Sequence, residues 1–332
     1  MKVLAIYGTR PEYLKVKPLV KASKSQIKTF FIKQHSDILN FGSSDHSIEI
    51  DNTCKNRLNS IFEQILLKAE KTINKYDFVL IQGDTATVLA SALCAFHLKK
   101  KIIYLESGLR SFDLNNPYPE EGYRQMISRI ADIHLCPTDL SAKNLRKENI
   151  KNNIHIVGNT CLDNIVNEKS SCSYDNQILI TLHRNENLPI ISQWLSEIDL
   201  FAKQNKDLDF IFPIHPNPQI VKAAAKFKNI KKYKPLSHSK LISVLKKCKF
   251  IITDSGGIQE EASFLNKKII VCRKTTERPE AIKTGHIKLC TSPKLLNKWL
   301  KKVNEDFIIS NDCPYGDGSA SQKILQIIKN YV

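Results

Sequence analysis

The sequence lacks a long hydrophobic run. None of its apolar stretches approaches the ~20 residues that a helix needs to cross a bilayer. The apolar start, Val3 to Tyr7, is too short for the core of a secretory signal and leads directly into Gly8, Thr9 and Arg10. These features predict a cytoplasmic protein that does not associate with a membrane.

Two common cofactor motifs are also missing. Nine cysteines are scattered along the chain and none forms a C-x-x-C pair, so we expect reduced thiols rather than a disulfide framework or a zinc site. No G-x-G-x-x-G fingerprint occurs, which argues against NAD bound in the usual dinucleotide mode. We therefore expect neither a metal nor NAD as a cofactor.

Acidic residues are outnumbered by basic ones. The 332 residues include 33 aspartates and glutamates against 50 lysines and arginines, which gives a net charge of +17. Lysine runs such as Lys99 to Lys101 have no aromatic residues between them, so we interpret them as solvated surface rather than a nucleic-acid site. We expect no nucleic-acid partner, although the positive field favours the approach of a diphosphate.

Short apolar runs alternate with longer amphipathic stretches such as Leu58–Ile73 and Ala86–Leu98. Continuous apolar runs are typical of strands buried on both faces, and their alternation with helices predicts a parallel, doubly wound sheet. In the first half the predicted strands are Val3–Tyr7, Thr29–Lys33, Phe78–Gln82, Ile102–Glu106, Ile133–Cys136 and Ile154–Val157.

The pattern restarts after the polar stretch Asn167–Asn176. The strands predicted there are Ile178–Leu182, Phe210–Pro213, Phe250–Thr253 and Ile269–Cys272. We predict an α/β protein with two Rossmann-like doubly wound domains facing a cleft, where ligands bind at the carboxyl ends of strands. The predicted domains are residues 1–166 and 167–312, followed by a segment, 313–332, whose helix packs back toward the first domain.

Charged side chains follow the first predicted strand. Gly8 permits a tight turn there, and Arg10 and Lys15 bring positive charge to the following helix. Because a helix N-terminus favours an anion, the segment is a candidate phosphate site.

Acids follow the later strands of the first half. Asp84 comes after the third strand, Glu106 ends the next, and Glu120 lies one turn before Arg124. Carboxylates gathered at one sheet edge raise one another's pKa, which suits proton transfer near neutral pH. We therefore expect acid/base groups in the first domain.

The second half carries two histidines and a glycine turn at strand ends. His183 and Arg184 follow its first strand, and His215 follows the next. Histidine beside arginine at a strand end is a candidate for phosphate binding or acid/base work. In the Asp254–Glu261 loop, backbone N–H groups and a hydroxyl can meet a phosphate at a helix N-terminus, and Glu261 can accept from ribose hydroxyls.

Taken together, these segments resemble the non-hydrolysing UDP-N-acetylglucosamine 2-epimerases over nearly the whole chain. The motifs that carry the resemblance are Gly8-Thr9-Arg10-Pro11-Glu12, Gly83-Asp84-Thr85, Glu106-x-Gly-Leu-Arg110, Pro119-Glu120-Glu121, Gly158-Asn159-Thr160 with Asp163, His183-Arg184-x-Glu186-Asn187, Asp254–Glu261, Thr276-Glu277-Arg278-Pro279-Glu280 and Pro314-Tyr315-Gly316-Asp317-Gly318.

The resemblance implies a glycosyltransferase-B-like fold and a homodimer that interconverts UDP-GlcNAc and UDP-ManNAc for surface polysaccharide synthesis. By motif, the implied acid/base groups are Asp84, Glu106, Glu120 and His183. The residues implied to hold UDP and sugar are Arg10, Lys15, Arg124, His183, Leu241, Ser255, Gly256, Gly257, Glu261 and Arg278. Bacterial members often need a second UDP-GlcNAc as activator, and the residues that match part of its region are Gln34, His35, Arg184 and His215.

The chain departs from the family pattern at a few positions. Ser107 stands where alanine is usual, Gln82 replaces a usual histidine, and Leu241 falls where an aromatic residue often faces the uracil. None of these departures removes a proposed acid or base.

Four other functions remain open on sequence grounds. A related 2-epimerase would act on a different UDP-sugar, such as a 6-deoxy or uronic one. A hydrolysing epimerase would release free ManNAc and UDP, and a glycosyltransferase that shares the Asp254–Glu261 loop would need an acceptor. A sugar-nucleotide-binding protein would bind UDP-GlcNAc without exchanging the hydrogen on carbon 2.

Overall fold

The chain folds into two parallel α/β units. The computed structural model describes residues 2–33, 44–51, 55–166 and 171–331, so Gln34 and His35 of the predicted activator region lie outside the described residues. Unit 1 comprises Met1–Asn164 and Gly316–Val332, and unit 2 comprises Ile165–Tyr315. The chain therefore passes from one unit to the other twice.

Unit 1 contains a seven-stranded sheet in the order β3-β2-β1-β4-β5-β6-β7, with every described pair parallel. Its strands are β1 Val3–Tyr7, β2 Ile27–Lys33, β3 His46–Glu49, β4 Phe78–Gln82, β5 Lys101–Leu105, β6 Ile133–Cys136 and β7 Ile154–Ile156. Its α-helices are α1 Arg10–Ala22, α2 Arg57–Ile73, α3 Ala86–His97, α4 Glu120–Ile130, α5 Asp139–Lys147 and α12 Ala320–Asn330.

Helices cover both faces of this sheet. Successive strand residues point to opposite faces, so Leu4 and Ile6 pack with α2, α3 and α4, whereas Val3 and Ala5 pack with α1 and α12. Burying a large apolar side chain contributes about 1.5–3 kcal/mol, which explains why the strands read as unbroken apolar runs.

The last helix of the chain belongs to unit 1. Asp163, in the 3₁₀ helix Thr160–Asn164, accepts hydrogen bonds from the backbone N–H groups of Ala320 (3.1 Å) and Ser321 (2.6 Å). Ile324 and Ile328 of α12 pack into the apolar cluster on one face of the sheet. A residue of the Gly158–Asp163 motif thus caps a helix more than 150 positions later.

Unit 2 contains a six-stranded sheet in the order β10-β9-β8-β11-β12-β13, again parallel throughout its described pairs. The strands are β8 Gln177–Thr181, β9 Asp209–Pro213, β10 Lys231–Tyr233, β11 Phe250–Thr253, β12 Lys268–Cys272 and β13 Ile287–Cys290. The α-helices are α6 Ile191–Gln204, α7 Pro218–Ala224, α8 His238–Lys247, α9 Gly256–Phe264, α10 Glu280–Lys283 and α11 Leu296–Glu305. Helices α6, α7 and α11 form one apolar cluster with the sheet around Trp194.

The predicted class of two parallel, doubly wound α/β domains is confirmed. Strands β1, β4, β6 and β11 have the predicted bounds, and the other predicted strands differ by one or two residues. Glu106, predicted as the last residue of a strand, lies just beyond β5 because its φ of +66° is incompatible with extended backbone. Among the described residues no helix is long and apolar enough to cross a membrane.

His134 makes the stability of unit 1 depend on pH. Its ring, on β6, is 2% exposed, and Nδ1 lies 3.0 Å from the hydroxyl of Ser107, which accounts for the serine at this motif position. Burial, and then the charge of Arg110, lower the pKa of His134 from 6.5 to about 4. The His134 ring is therefore protonated near pH 6.5 in the unfolded chain but only near pH 4 in the folded chain.

We expect acidification from about pH 6.5 to about pH 4 to lower the free energy of unfolding by up to about 3 kcal/mol through this group. Above pH 6.5 the ring is neutral in both states and contributes no pH dependence. Chemical denaturation at several pH values should show a smaller decrease for His134→Gln than for the wild type. Equal decreases in the two proteins would contradict the assignment.

Candidate active site

The candidate site of each unit lies where the strand order reverses. The order reverses between β1 and β4 in unit 1 and between β8 and β11 in unit 2. In parallel α/β sheets, ligands bind outside the carboxyl ends of strands at such points. The residues that follow these strands and their neighbours are therefore the candidate ligand-binding residues.

A buried glutamate holds the turn after β1. Glu12 accepts hydrogen bonds from the backbone N–H groups of Gly8 (2.6 Å) and Thr9 (3.1 Å), and Thr9 caps α1. The Thr85 hydroxyl, from the turn after β4, donates to the other oxygen of Glu12 at 2.7 Å. Burial raises the pKa of Glu12, and these hydrogen bonds oppose that rise. The side chain of Arg10, at the start of α1, has no hydrogen bond or ion pair within the described part of the chain.

Glu106 is held from two sides. Its left-handed backbone costs a non-glycine residue about 1–3 kcal/mol, so the surroundings must stabilise it. Lys15 forms an ion pair with Oε1, and the Gln82 amide donates a hydrogen bond to Oε2. The structure thus brings together Lys15 and Glu106, two predicted site residues whose contact was not predicted, and adds Gln82.

Asp84 and Arg124 form a second pair in unit 1. Arg124 Nε donates to Asp84 Oδ2 at 2.9 Å, and its Nη1 lies 3.2 Å from Glu121 Oε2. The arginine side chain is buried, whereas 33% of the Asp84 side chain is exposed. Arg124 therefore orients Asp84, which keeps an open side toward a ligand.

The two adjacent glutamates at the start of α4 have different surroundings. Glu121 is fully buried and accepts from the backbone N–H groups of Ser111 (2.9 Å) and Phe112 (3.2 Å), so it holds the preceding loop. Glu120 is half-buried, and its Oε2 is shielded from solvent with no hydrogen-bond partner among the described residues. Because a buried oxygen without a partner is costly, it marks a position for a ligand or a proton. Glu120 is therefore the candidate for chemistry.

The remainder of the Glu106-to-Arg110 motif is structural. Gly108 has a φ of +88°, and a Cβ at this position would collide with the backbone carbonyl of Ser141. Arg110 is buried and makes two hydrogen bonds to the carboxylate of Glu148, at 2.7 and 2.8 Å. These contacts fix the loop that carries Glu106.

Asp254 organises the reversal point of unit 2. This fully buried carboxylate accepts from the backbone N–H groups of His183 (3.0 Å) and Arg184 (3.0 Å) and from the side chain of Asn187 (2.9 Å). It therefore ties the turn after β8 to the turn after β11. Sequence reasoning did not select Asp254 as a site residue, although an acid directly after a strand is the signal that selected Asp84.

The His183 ring is presented at this edge as a neutral imidazole. Nδ1 lies 3.5 Å from Asp254 Oδ1, and the ring stacks on His215 with centroids 5.6 Å apart and an interplanar angle of 15°. Burial lowers the pKa of His183; Asp254 opposes this, and His215 and Arg184 add to it. Since Nδ1 faces Asp254, Nε2 is the nitrogen left to meet a ligand.

The N-terminus of α9 is open to an anion. Ser255 is the N-cap, but its hydroxyl makes no capping hydrogen bond to the helix. A Cβ on Gly256 would lie 2.8 Å from Arg278 Nη1, so glycine allows the guanidinium to approach the helix start. A Cβ on Gly257 would meet nothing within 4 Å. Free N–H groups, a hydroxyl and a guanidinium make this end suited to phosphate.

Carboxylates fix the arginines around this helix start. Arg278 bonds to Glu260 and Glu277, and Arg273 bonds to Glu277 and Glu186 at 2.8 Å each. Burial would raise the pKa of Glu277, but the cations of Arg278, Arg273 and Arg184 outweigh it and hold that pKa well below its usual range. The guanidinium groups are therefore rigidly placed before any ligand arrives.

Glu261 pairs with a residue that sequence reasoning missed. His238, at the start of α8, lies with Nε2 2.7 Å from Glu261 Oε1. Leu241 is half-buried one turn further along α8. Glu261, the predicted ribose acceptor, is thus in contact with the imidazole of His238. His238 belongs to no motif that the sequence revealed.

The donor sets found do not form a metal site. Within the described ranges, no group of three or more histidine, cysteine, aspartate or glutamate side chains is arranged to hold a metal ion. The cysteines in the same ranges are free thiols, and burial raises the pKa of those most enclosed, such as Cys248, to about 12. Such thiols are poor nucleophiles and ligands.

The chain is similar in sequence and in fold to known UDP-N-acetylglucosamine 2-epimerases. A family model described as UDP-N-acetylglucosamine 2-epimerase matches residues 20–329. The UDP-N-acetylglucosamine 2-epimerase of Campylobacter jejuni is 36% identical, over 98% of this chain and 97% of that protein. The enzyme from Neisseria meningitidis, solved with UDP-GlcNAc, has a TM-score of 0.91 at 30% identity over 99% of this chain and 100% of that one. The Methanocaldococcus jannaschii enzyme, solved with UDP-GlcNAc and UDP, has a TM-score of 0.80 at 30% identity over 99% and 100%.

The fold and these matches define an epimerase built from two parallel α/β units. More narrowly, the chain belongs to the UDP-N-acetylglucosamine 2-epimerase family. The resemblance drawn from the sequence motifs is confirmed.

Proposed function

We propose that this protein interconverts UDP-GlcNAc and UDP-ManNAc without hydrolysis, by eliminating UDP and adding it back. Support comes from the family and from the relatives solved with UDP-GlcNAc. The observation that carries the proton chemistry is the contrast in unit 1 between ion-paired Glu106 and Asp84 and the unpartnered oxygen of Glu120.

The chemistry of carbon 2 explains why UDP must leave. Its hydrogen has no adjacent carbonyl, so simple deprotonation would leave a localised carbanion. When a base removes this proton while the bond from carbon 1 to UDP breaks, the electron pair forms a carbon–carbon double bond and UDP departs with the bonding pair. Addition of UDP to carbon 1, with a proton delivered to the other face of carbon 2, completes the inversion. No hydride acceptor or metal is required by this route.

The acids of unit 1 are assigned to the two proton transfers. Glu106 and Asp84 each contact a cation, which favours the ionised form that a base needs. Glu120 Oε2 is buried without a hydrogen-bond partner among the described residues, so it is placed to contact the substrate as the second acid/base group. Each correctly placed acid or base is worth about 10²–10⁴ in rate.

The groups of unit 2 are assigned to the diphosphate. Charge develops on UDP as it leaves, and fixed donors aimed at that charge stabilise the transition state. Ser255, Gly256 and Gly257 offer the helix N-terminus, and Arg278 lies against it. Next to an anion, the neutral ring of His183 can take up a proton on Nε2 and add positive charge.

Incubation with UDP-GlcNAc in deuterated water tests the function. Proton NMR should show deuterium at carbon 2 of both UDP-GlcNAc and UDP-ManNAc, with no free sugar, because the proton removed exchanges with solvent before return. Accumulation of free ManNAc with UDP would show hydrolysis instead. Unchanged UDP-GlcNAc would point to a transferase that lacks its acceptor or to a binding protein.

Three further expectations accompany this function: a dimer, an activator and a role for the product. We propose a homodimer, which light scattering can test, and a second UDP-GlcNAc as activator near Arg184 and His215. Support for two ligands comes from the M. jannaschii relative, which was solved with both UDP-GlcNAc and UDP. The product would then serve the synthesis of surface polysaccharide.

A further inference from the structure

Gln82 connects the sheet of unit 1 to Glu106, the candidate base. It is the last residue of β4, next to β5, and only 3% of it is exposed. Its Nε2 donates to Glu106 Oε2, while Lys15 occupies Oε1. Glu106 therefore receives one charged and one neutral donor, from different secondary-structure elements.

The orientation of the Gln82 amide follows from its neighbour. An ionised carboxylate only accepts hydrogen bonds, so the NH₂ group must face Glu106, since a flipped amide would place two oxygens together. Gln82 Oε1 is then directed elsewhere, and it is buried without a hydrogen-bond partner among the residues described. A buried acceptor left unpaired costs about 1–3 kcal/mol, which a residue selected for stability alone would avoid.

We propose that Gln82 is a positioning residue for the epimerisation: its amide supplies a non-titrating donor that, together with Lys15, holds Glu106 as a proton acceptor. This inference rests on the proposed function. It also separates the two acids, because Glu106 has a donor on each oxygen, whereas Glu120 Oε2 has no partner among the described residues.

Three other titratable side chains lie near Glu106, and each has a different contact from that of Gln82. Tyr104, on β5, donates to the backbone carbonyl of Gly83 at 3.1 Å, and burial raises its pKa so that it stays neutral. Asp84 is already paired with Arg124. Lys15 supplies charge from α1 but contacts the opposite oxygen.

Two substitutions of Gln82 test the inference. Gln82→Met keeps the length and removes the donor, whereas Gln82→His restores an N–H donor that titrates near pH 6.5. For each protein, kcat and KM for hydrogen exchange at carbon 2 should be measured from about pH 5 to about pH 9. The free energy of unfolding and the affinity for UDP should be measured in parallel.

We expect Gln82→Met to lower kcat about 10-fold at neutral pH with KM changed less than about 2-fold. The acid limb of its kcat profile should move up by about one pH unit, because the ionised carboxylate has lost a donor. Gln82→His should regain most of the turnover and show an additional inflection near pH 6.5.

If the acid limb of the kcat profile of Gln82→Met lies at the same pH as in the wild type, the inference is overturned. This holds both when turnover is retained and when it is lost together with stability and UDP affinity. Wild-type protein that exchanges no hydrogen at carbon 2 would instead overturn the proposed function. The two failures are therefore distinguishable.

Discussion

Replacing Glu120 with glutamine is expected to slow epimerisation at least ~10²-fold while UDP binding changes little. The reason is that an amide of the same shape can neither give nor take the proton, whereas the diphosphate is assigned to unit 2. Glu120 Oε2 is buried without a partner in the described part of the chain, so the substitution breaks no hydrogen bond or ion pair found there. Exchange at carbon 2 measures turnover, and calorimetry measures the affinity for UDP.

Two other glutamates serve as controls for this variant. Glu63→Gln, on the exposed side of α2, should leave turnover and stability unchanged. Glu121→Gln should lower the free energy of unfolding, because Glu121 accepts backbone hydrogen bonds from Ser111 and Phe112. A loss of UDP affinity as large as the loss of turnover in Glu120→Gln would make Glu120 a binding residue.

Gly256→Ala and Gly257→Ala should both lower the affinity for UDP, but only Gly256→Ala should also lower the free energy of unfolding. At Gly256 the added methyl group meets the guanidinium of Arg278, which cannot easily move because Glu260 and Glu277 hold it. We expect UDP affinity to fall about 10- to 100-fold, the loss of a charge-assisted hydrogen bond to phosphate, and the free energy of unfolding to fall as well.

At Gly257 the methyl group meets no atom of the described residues within 4 Å. The free protein should therefore keep its stability or gain up to about 1 kcal/mol, because alanine favours a helix over glycine. UDP affinity should still fall, since the methyl group would occupy the space assigned to the phosphate. Denaturation and calorimetry on both variants check the contrast, and unchanged UDP affinity in both would remove α9 from the diphosphate site.

Sequence pattern identifies the interior of the sheets well and their edges poorly. Strands such as β4 and β11 are buried on both faces, so their apolar runs are unbroken. Strand β3, at the edge of the unit 1 sheet, reads His-Ser-Ile-Glu with alternate exposure. All three residues of β10, at the edge of the unit 2 sheet, are exposed. Neither carries an apolar run, and with β13 they are the strands that the pattern does not predict.

For the candidate site, the sequence identifies residue types at strand ends but not their partners. The turns carrying Asp84, Glu106 and Asp254 follow from strand–helix alternation, because a parallel sheet brings strand ends to one edge. The pairing of Glu106 with Lys15 and Gln82 depends on side-chain positions that no spacing encodes. Residue type and spacing alone do not distinguish Glu120 from its neighbour Glu121; the family motif selects Glu120, and only the structure shows their opposite surroundings.

The cap that Asp163 places on α12 has a consequence for synthesis on the ribosome. When the first 164 residues have emerged, the hydrophobic surface that Ile324 and Ile328 will cover is still bare. All of unit 2 must then be translated before the closing helix appears. A chain truncated by an early stop codon between Tyr315 and Ala320 would therefore contain all of unit 2 but lack α12, and chaperones and proteases would recognise the uncovered sheet of its unit 1.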